Sequence, residues 1–305
     1  MIVYLNRAPK LGPWGGGAKT VNLLCEKLQD RGHQVVFSLV PDIDIMFCFD
    51  PRPNQFGEDY GSMLNYKLQN PGVKIIQRIG DIGTHGKPDL NLYVKESIKY
   101  SDYCIFPSMW SKKEIGFTGA NHAVINNAPM PIFYKDRSIS RSTSSIVRIV
   151  THHWSTNPKK GFSLYKEIEA MQDENNFRFE YIGRTPAGLS FINQRAPISA
   201  SDLASVLPTH DIYLTASEEE AGANHVLDAL AAGLPVVYTS KGGSIVDYCS
   251  DYGASFEDTR GAVACIEKIK NSYAEYKNRV LSYTSTNEET IEQYCEIVEK
   301  YETKY

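Results

Sequence analysis

Apolar residues recur along the chain with two different spacings. Short runs of β-branched and aromatic residues predict strands at Ile2 to Leu5, Val35 to Val40, Ile43 to Phe49, Val73 to Gln77, Tyr103 to Phe106 and Ala123 to Ile125. Amphipathic segments of helical period lie between several of these runs. The clearest, Ala18 to Arg31, has its apolar residues on one face and ends before Gly32. Strands that alternate with helices predict a parallel sheet covered by helices.

A polar stretch interrupts this pattern, and the pattern starts again after it. The stretch, Lys135 to Ser145, is rich in serine and charged residues and predicts a linker. The restart predicts strands at Ile146 to Val150, Phe177 to Ile182, Asp211 to Thr215 and Pro235 to Tyr238, and helices at about Phe162 to Met171, Ala200 to Val206 and Asn224 to Ala232.

Two doubly wound, Rossmann-like domains are therefore the expected α/β architecture. We place the first domain at residues 1–140 and the second at residues 141–286. A helical apolar stripe in residues 287–305 predicts a final helix that packs back on the first domain. Ligands of open parallel sheets bind beyond the carboxyl ends of the strands, so we expect the two domains to face a central cleft.

Composition excludes several classes of protein. The 305 residues are 42% hydrophobic and 22% charged, which excludes a disordered, collagen-like or coiled-coil chain. The net charge is −4 and Lys and Arg do not cluster, so we expect no nucleic acid partner. The six cysteines form no Cys-x-x-Cys pair and are interpreted as reduced thiols. The N-terminal apolar run is too short for a signal peptide, and no run reaches the roughly 20 residues of a membrane span. A cytoplasmic location is the expectation.

A glycine-rich loop, Pro13 to Gly17, follows the first strand and opens the first helix. Unpaired N–H groups at a helix start favour an anion such as a phosphate, and glycines let a ligand approach the backbone. Gly16 and Gly17 are therefore candidate donor-binding residues. The loop is not Gly-x-Gly-x-x-Gly and no Gly-Lys-Ser/Thr follows, which disfavours dinucleotide and P-loop sites. A flexible turn explains the glycines about as well.

The segment Thr215 to Val237 is the most informative one. A strand ends there, a loop of small residues follows, and a helix is predicted to begin at about Asn224, a residue type that favours the N-cap position. Glu220 and Asp228 would bracket the helix start with two carboxylates. Carboxylates accept hydrogen bonds from sugar hydroxyls, and the N–H groups at a helix start suit a diphosphate. Those N–H groups belong to Ala221, Gly222, Ala223 and Asn224. A solvated acidic loop is the alternative.

Two further polar clusters follow predicted strands. In Thr151 to Phe162, the adjacent His152 and His153 point to opposite sides of an extended backbone, which favours separate hydrogen-bonding roles over chelation of one metal. His153 is assigned to donor binding, and Lys159 or Lys160 would neutralise a diphosphate. A solvated turn is the simpler interpretation of either lysine.

In the first domain, Arg78 to Lys87 follows the Val73 to Gln77 strand. Asp81 and His85 are candidate groups for acceptor binding or acid–base chemistry in this segment. A turn rich in glycine explains the segment nearly as well.

Together these motifs resemble those of retaining glycosyltransferases of the GT-B fold, in particular glycosyltransferase family four (glycosyl transferases group 1). The family's Glu-x7-Glu corresponds to Glu220-x7-Asp228, and family-like residues continue to Lys241-Gly242-Gly243. Lys160-Gly161 resembles the phosphate-binding Lys-Gly of the family. The glycine loop and Ile125 to Ala128 resemble further family segments.

The resemblance implies roles for these residues. Glu220 would contact the donor-sugar hydroxyls, Asp228 the nucleoside ribose and Lys160 the diphosphate, with Glu220 and Lys160 as the catalytic residues. The chain departs from the family where Asp228 is one methylene shorter than Glu. A second departure is that His152-His153-Trp154 replaces the Gly-Arg that normally precedes Lys-Gly. Arg184, at the next strand end, would substitute for the missing arginine.

The function implied by the resemblance is transfer of a hexose-type sugar, with retention, from a nucleoside diphosphate sugar to a hydroxyl acceptor. The acceptor would be a saccharide or a glycan-lipid, which is compatible with peripheral membrane contact. No metal is expected to be required, because Asp42-Ile43-Asp44 precedes a strand and lies at the wrong end of it. Two alternatives stay open: a sugar-nucleotide binding protein without efficient turnover, and a nucleotide-sugar epimerase that uses His85, His152 or His153. The nucleoside base, the sugar and the oligomeric state stay open as well.

Overall fold

The chain folds into two compact units in a computed structural model that describes residues 1–10, 16–53, 58–138, 146–173 and 176–302. One unit combines Met1–Asn127 with Asn287–Tyr305, and the other is Ala128–Thr286. The sequence-based boundary at residue 140 and most of the linker lie outside the described residues. Residues 128–138 belong to the second unit because Phe133 is buried in that unit's core.

The first unit is a parallel sheet covered by helices. Its strands are ordered β2-β1-β3-β4-β5-β6, with β1 at the topological switch point. Val3 and Leu5 of β1 pack on one face, and Tyr4 packs on the other. In chain order the described elements are β1 (Ile2–Leu5), α1 (Gly16–Asp30), β2 (Gln34–Val36), β3 (Ile45–Cys48), α2 (Tyr60–Gln69), β4 (Lys74–Arg78), α3 (Pro88–Ser97), β5 (Tyr103–Phe106), α4 (Met109–Glu114) and β6 (His122–Val124).

The edge strand β2 is shorter than the strand predicted at Val35 to Val40. It pairs with only three residues of β1, from Ile2 to Tyr4, and the chain then leaves the sheet. The remainder of the run contains the polar Ser38 and is followed by Pro41, which lacks a backbone donor and does not extend the ladder.

The second unit repeats the architecture with the strand order β12-β11-β10-β7-β8-β9. Its two faces carry separate apolar cores, one under α7 and one under α5 and α9. The described elements are β7 (Val147–His153), α5 (Phe162–Ala170), β8 (Phe177–Gly183), β9 (Gln194–Arg195), α6 (Ala200–Val206), β10 (Ile212–Thr215), α7 (Asn224–Ala231), β11 (Val236–Thr239), α8 (Ser244–Cys249), β12 (Gly253–Phe256), α9 (Thr259–Asn271) and α10 (Tyr273–Leu281).

The sequence pattern did not place the strands β9 and β12, nor the helices α2, α3, α4, α8, α9 and α10. β9 has only two residues, and both are exposed. β12 begins at Gly253, where a Cβ would collide with the backbone of Val236 on β11. From sequence alone a glycine here predicts a turn. In the structure it allows the backbone of β12 to approach that of β11 closely.

The final helix, α11 (Asn287–Glu299), packs on α1 within the first unit. Ile291, Tyr294 and Val298 join the core that contains Leu24 and Leu28. Ion pairs from Arg31 to Glu292 and Glu299 flank this contact. Within the described ranges, no helix has both the length and the apolar character needed to cross a membrane.

Candidate functional site

Lys160 and Glu220 meet at the carboxyl edge of the second sheet. Lys160 ends the short 3₁₀ turn Pro158–Lys160 that follows β7, and Glu220 lies in the loop after β10. Lys160 Nζ pairs with Glu220 Oε1, and the two side chains are only 12% and 13% exposed. The Ser217 hydroxyl donates to the same oxygen at 2.7 Å. A carboxylate and an ammonium are thus held together in a largely buried position.

Gly161 makes this meeting sterically feasible. Its φ is +81°, and a Cβ there would lie 2.5 Å from the carbonyl oxygen of Ala216. Only glycine combines this left-handed conformation with so close an approach. The Lys160-Gly161 pair therefore brings the end of β7 against the loop that carries Glu220.

The loop that carries Glu220 is fixed on both sides by backbone hydrogen bonds. The Glu218 N–H donates to the Lys159 carbonyl at 2.8 Å, and the Ser244 N–H donates to the Glu220 carbonyl at 2.8 Å. Glu219 has φ +53°, a conformation that is uncommon for a residue with a side chain and is often found at functional sites. The backbone around the Lys241 to Gly243 segment thus fixes the position of Glu220.

The start of α7 corrects one detail of the sequence prediction. Asn224 is the first helical residue and not the N-cap, because the non-helical cap conformation falls on Ala223. The Ala223 N–H donates to the Ser244 hydroxyl at 3.0 Å, so a residue of α8 holds the backbone of the cap residue in place. Ala221 is buried and Gly222 is partly exposed beside this helix start.

Asp228 lies in the first part of α7 beside His152 of β7. The His152 Nε2 atom is 3.8 Å from Asp228 Oδ2, and the side chains are 5% and 17% exposed. Tyr213 of β10 has its hydroxyl 3.1 Å from His152 Nδ1. Burial holds the pKa of Tyr213 well above its usual value, so the hydroxyl keeps its proton. When that hydroxyl donates to Nδ1, the neutral imidazole carries its proton on Nε2, which faces the Asp228 carboxylate.

His153 has different surroundings from its neighbour. Its Nε2 atom is 2.9 Å from the Tyr165 hydroxyl, and its ring centroid is 4.9 Å from that of His225. Burial raises the pKa of Tyr165 to about 12, so this hydroxyl is also protonated. The His153 ring therefore lies among buried aromatic residues on the α5 side. Its role in donor binding stays a prediction.

Arg184 follows β8 at the same edge of the sheet. Its guanidinium is exposed and lies 6.0 Å from the Trp154 ring centroid. Trp154 also lines a small open pocket, together with His152, Ile198 and Leu203. The sequence analysis did not select Ile198 and Leu203, because no local pattern distinguishes them from ordinary apolar residues.

The candidate residues of the first unit lie in two separate segments. Gly16 opens α1, and the space beside Gly17 is open. Asp81 stabilises its own turn: its Oδ1 accepts from the Gly83 N–H at 2.8 Å, and its Oδ2 pairs with Lys87 at 2.7 Å. His85 is 8% exposed. No group of three His, Cys, Asp or Glu side chains is arranged to hold a metal ion in the described part of the chain.

Comparisons with known proteins identify the fold. No protein-family model matches the chain, and no curated protein matches it. Solved structures match along its whole length. Sucrose-phosphate synthase from Thermosynechococcus elongatus has a TM-score of 0.69 at 12% identity and covers 98% of both chains. Anabaena HepE in complex with UDP-glucose has a TM-score of 0.67 at 13% identity, covering 98% of this chain and 99% of that one.

The chain has the GT-B fold. A third GT-B structure, WaaG, a glycosyltransferase involved in lipopolysaccharide biosynthesis, has a TM-score of 0.67 at 15% identity, covering 98% of this chain and 99% of that one. The resemblance inferred from the sequence motifs is confirmed at the level of the fold. At such low identities the similarity defines the fold, and function has to be argued from the site.

Proposed function

We propose that the protein is a glycosyltransferase that moves a sugar from a nucleoside diphosphate sugar to a hydroxyl acceptor with retention of configuration. The observation that carries the proposal is the placement of Glu220 by Lys160 and Ser217 at the carboxyl edge of the second sheet. The GT-B neighbours add support, because HepE was solved with UDP-glucose and WaaG is a glycosyltransferase.

Each part of the donor has a matching group. The Lys160 ammonium is suited to a diphosphate, and the Glu220 carboxylate to hydroxyls of the transferred sugar. Asp228, next to His152, is suited to the vicinal hydroxyls of a ribose. The open pocket beside Trp154 offers an apolar surface for a nucleoside base.

The negative charge that develops on the departing nucleoside diphosphate would be stabilised without a metal. Lys160 supplies a positive charge in a half-enclosed position, the exposed Arg184 supplies a second at the same sheet edge, and the start of α7 adds its helix dipole. In the mechanism implied by the resemblance, a donor phosphate oxygen helps to deprotonate the acceptor on the same face. A saccharide or glycan-lipid acceptor belongs to the proposal as well.

A binding protein of the same fold without efficient turnover is the second candidate function. It is favoured by the short Asp228 side chain and by the histidines that replace the family arginine.

Calorimetry with UDP, GDP and ADP and their hexose derivatives tests binding, and release of the nucleoside diphosphate tests turnover. Glu220→Gln should lower turnover about 10²–10³-fold, as expected when one transition-state contact is removed. Glu257→Gln, an exposed acid beyond β12, is the matched control and should not change it.

Binding without transfer or hydrolysis would replace the proposal with the binding protein. Product analysis without an acceptor separates the third alternative. An epimerase would return a different nucleotide sugar, whereas a transferase releases the nucleoside diphosphate.

A further inference from the structure

Arg78 is a buried cation at the carboxyl edge of the first sheet. It is the last residue of β4 and is only 6% exposed. Successive strand residues point to opposite faces. Gln77 donates to Ser97 of α3 on one face, so Arg78 points to the other face, where Ile76 packs with the core under α1 and α11.

The guanidinium of Arg78 has few partners. Its Nη2 donates to Asn127 Oδ1 at 2.8 Å, while its Nε is buried and has no hydrogen-bond partner among the described residues. No described carboxylate forms an ion pair with it. A guanidinium stays charged at any ordinary pH, and a buried charge without a counter-ion is costly.

Other cations of this edge differ from Arg78, because acidic groups neutralise them. Lys87 pairs with Asp81 at 2.7 Å, and Arg52 pairs with Asp50 at 2.8 Å. Arg7 donates to several backbone carbonyls and lies 3.8 Å from Asp50. Arg78 is therefore the member of this group whose charge lacks an acidic partner within the described ranges.

Gly80 leaves room for the unneutralised guanidinium itself. A Cβ at this glycine would collide with Arg78 Nη1, and Gly80 does not have a left-handed φ that would by itself require glycine. The missing side chain thus lets Nη1 lie against the backbone of Gly80, where a Cβ would otherwise sit. Arg78 has the planar donors that recognise carboxylate and phosphate groups in pairs.

We propose that Arg78 anchors an oxyanion site, and that the oxyanion is a phosphate or carboxylate group of the acceptor. The anion would supply the missing counter-charge and accept from Nη1. Assignment of the anion to the acceptor rests on the proposed function. The anion site itself does not.

Thermal unfolding of the full chain tests the site, with inorganic phosphate, acetate and chloride compared at matched ionic strength. In the unsubstituted protein, phosphate or acetate should raise Tm by several degrees with saturation, because a ligand bound to the native state stabilises it. Arg78→Gln should lose this rise without a lower Tm in chloride, since it removes an uncompensated buried charge. Arg178→Gln, an exposed arginine of β8, is the control and should keep the rise.

Gly80→Ala provides a second test that retains the charge. Its Cβ would displace Nη1 from its position, so the rise in Tm should shrink although Arg78 is present. The proposal is overturned if neither oxyanion stabilises the unsubstituted protein, or if Arg78→Gln keeps the full rise. It is also overturned if Arg78→Gln lowers Tm equally in all three salts, which would mean that Arg78 only supports Asn127.

The acceptor assignment is tested by affinity for nucleoside diphosphates. Arg78→Gln should leave that affinity unchanged and raise the KM for a phosphorylated or carboxylated acceptor. A loss of nucleoside diphosphate affinity would assign the oxyanion to the donor and overturn the acceptor role. If the unsubstituted protein binds no nucleotide sugar but responds to phosphate, the proposed function fails while the anion site stands.

Discussion

Replacing Glu220 by Gln separates two roles that the structure gives to one carboxylate. The carboxylate neutralises Lys160 in the protein without ligand, and we propose that it binds the donor sugar in the complex. The substitution keeps the size of the side chain and its hydrogen-bond acceptor for Ser217. It removes only the charge, so the consequences for stability and for binding can be measured separately.

The cost to stability follows from the burial of the pair. Removing one partner of a fully buried ion pair costs about 3–5 kcal/mol. Here both side chains are 12–13% exposed, so water still reaches the charge left on Lys160. We therefore expect a loss of about 1–3 kcal/mol for Glu220→Gln and a similar loss for Lys160→Met. Each kcal/mol corresponds to about 2–4 °C in Tm for a unit of this size.

The double variant measures the coupling between the two charges. It leaves no unpaired charge, so it should be more stable than the sum of the single losses predicts, by about 1–2 kcal/mol. Chemical denaturation of the four proteins supplies the cycle. Strictly additive losses would show that the pair does not interact, and the description of the site would be wrong.

Ligand binding then tests the second role. In Glu220→Gln the ammonium of Lys160 no longer has a competing carboxylate, so UDP alone should bind at least as tightly as before. The extra affinity of UDP-glucose over UDP should disappear, because that increment comes from the sugar hydroxyls. Equal weakening of UDP and UDP-glucose would refute the assignment of Glu220 to the sugar.

Three more predictions concern single elements. His152→Ala should weaken UDP more than 2′-deoxy-UDP, because the imidazole faces Asp228 at 3.8 Å; equal weakening would leave it no role at the ribose. Gly161→Ala should cost about 2 kcal/mol or more in denaturation, since a Cβ meets Ala216 at a φ of +81°; a neutral result contradicts the packing. The hydrogen bond from Arg31 lowers the pKa of Glu292. This contribution, at most about 1 kcal/mol, is present above pH ~4.5 and lost as pH falls through the lowered pKa. Arg31→Ala should remove that acid-dependent part, as followed by hydrogen exchange in α11.

Much of the fold was predictable because the relevant signals are local. β1, β5 and α6 have the bounds that periodicity predicted, and the other elements that it placed differ from the structure only at their ends. β9 and β12 were missed because two residues carry no period, and because Gly253 serves a close approach to a neighbouring strand. Such an approach depends on tertiary structure and leaves no local pattern.

The site shows the same division between local and distant information. The spacing of Glu220 and Asp228 on either side of a helix start could be inferred from the sequence. Their partners could not, because the register of β7 against β10 decides that His152 meets Asp228 and that Tyr213 supplies its hydrogen bond. The N-cap position falls on Ala223, one residue before the predicted Asn224, and the Ser244 hydroxyl that accepts from its N–H comes from another helix.

The most direct test of glycosyl transfer is proton NMR of nucleotide-sugar turnover by the purified protein and by Glu220→Gln. We predict that the unsubstituted protein slowly hydrolyses one of UDP-glucose, GDP-mannose or ADP-glucose, with water in place of the acceptor. It should release the nucleoside diphosphate and a free sugar that first appears with the donor's anomeric configuration. Glu220→Gln should slow this about 10²–10³-fold. Absence of both binding and consumption for every donor, or equal turnover by the variant, would contradict the account.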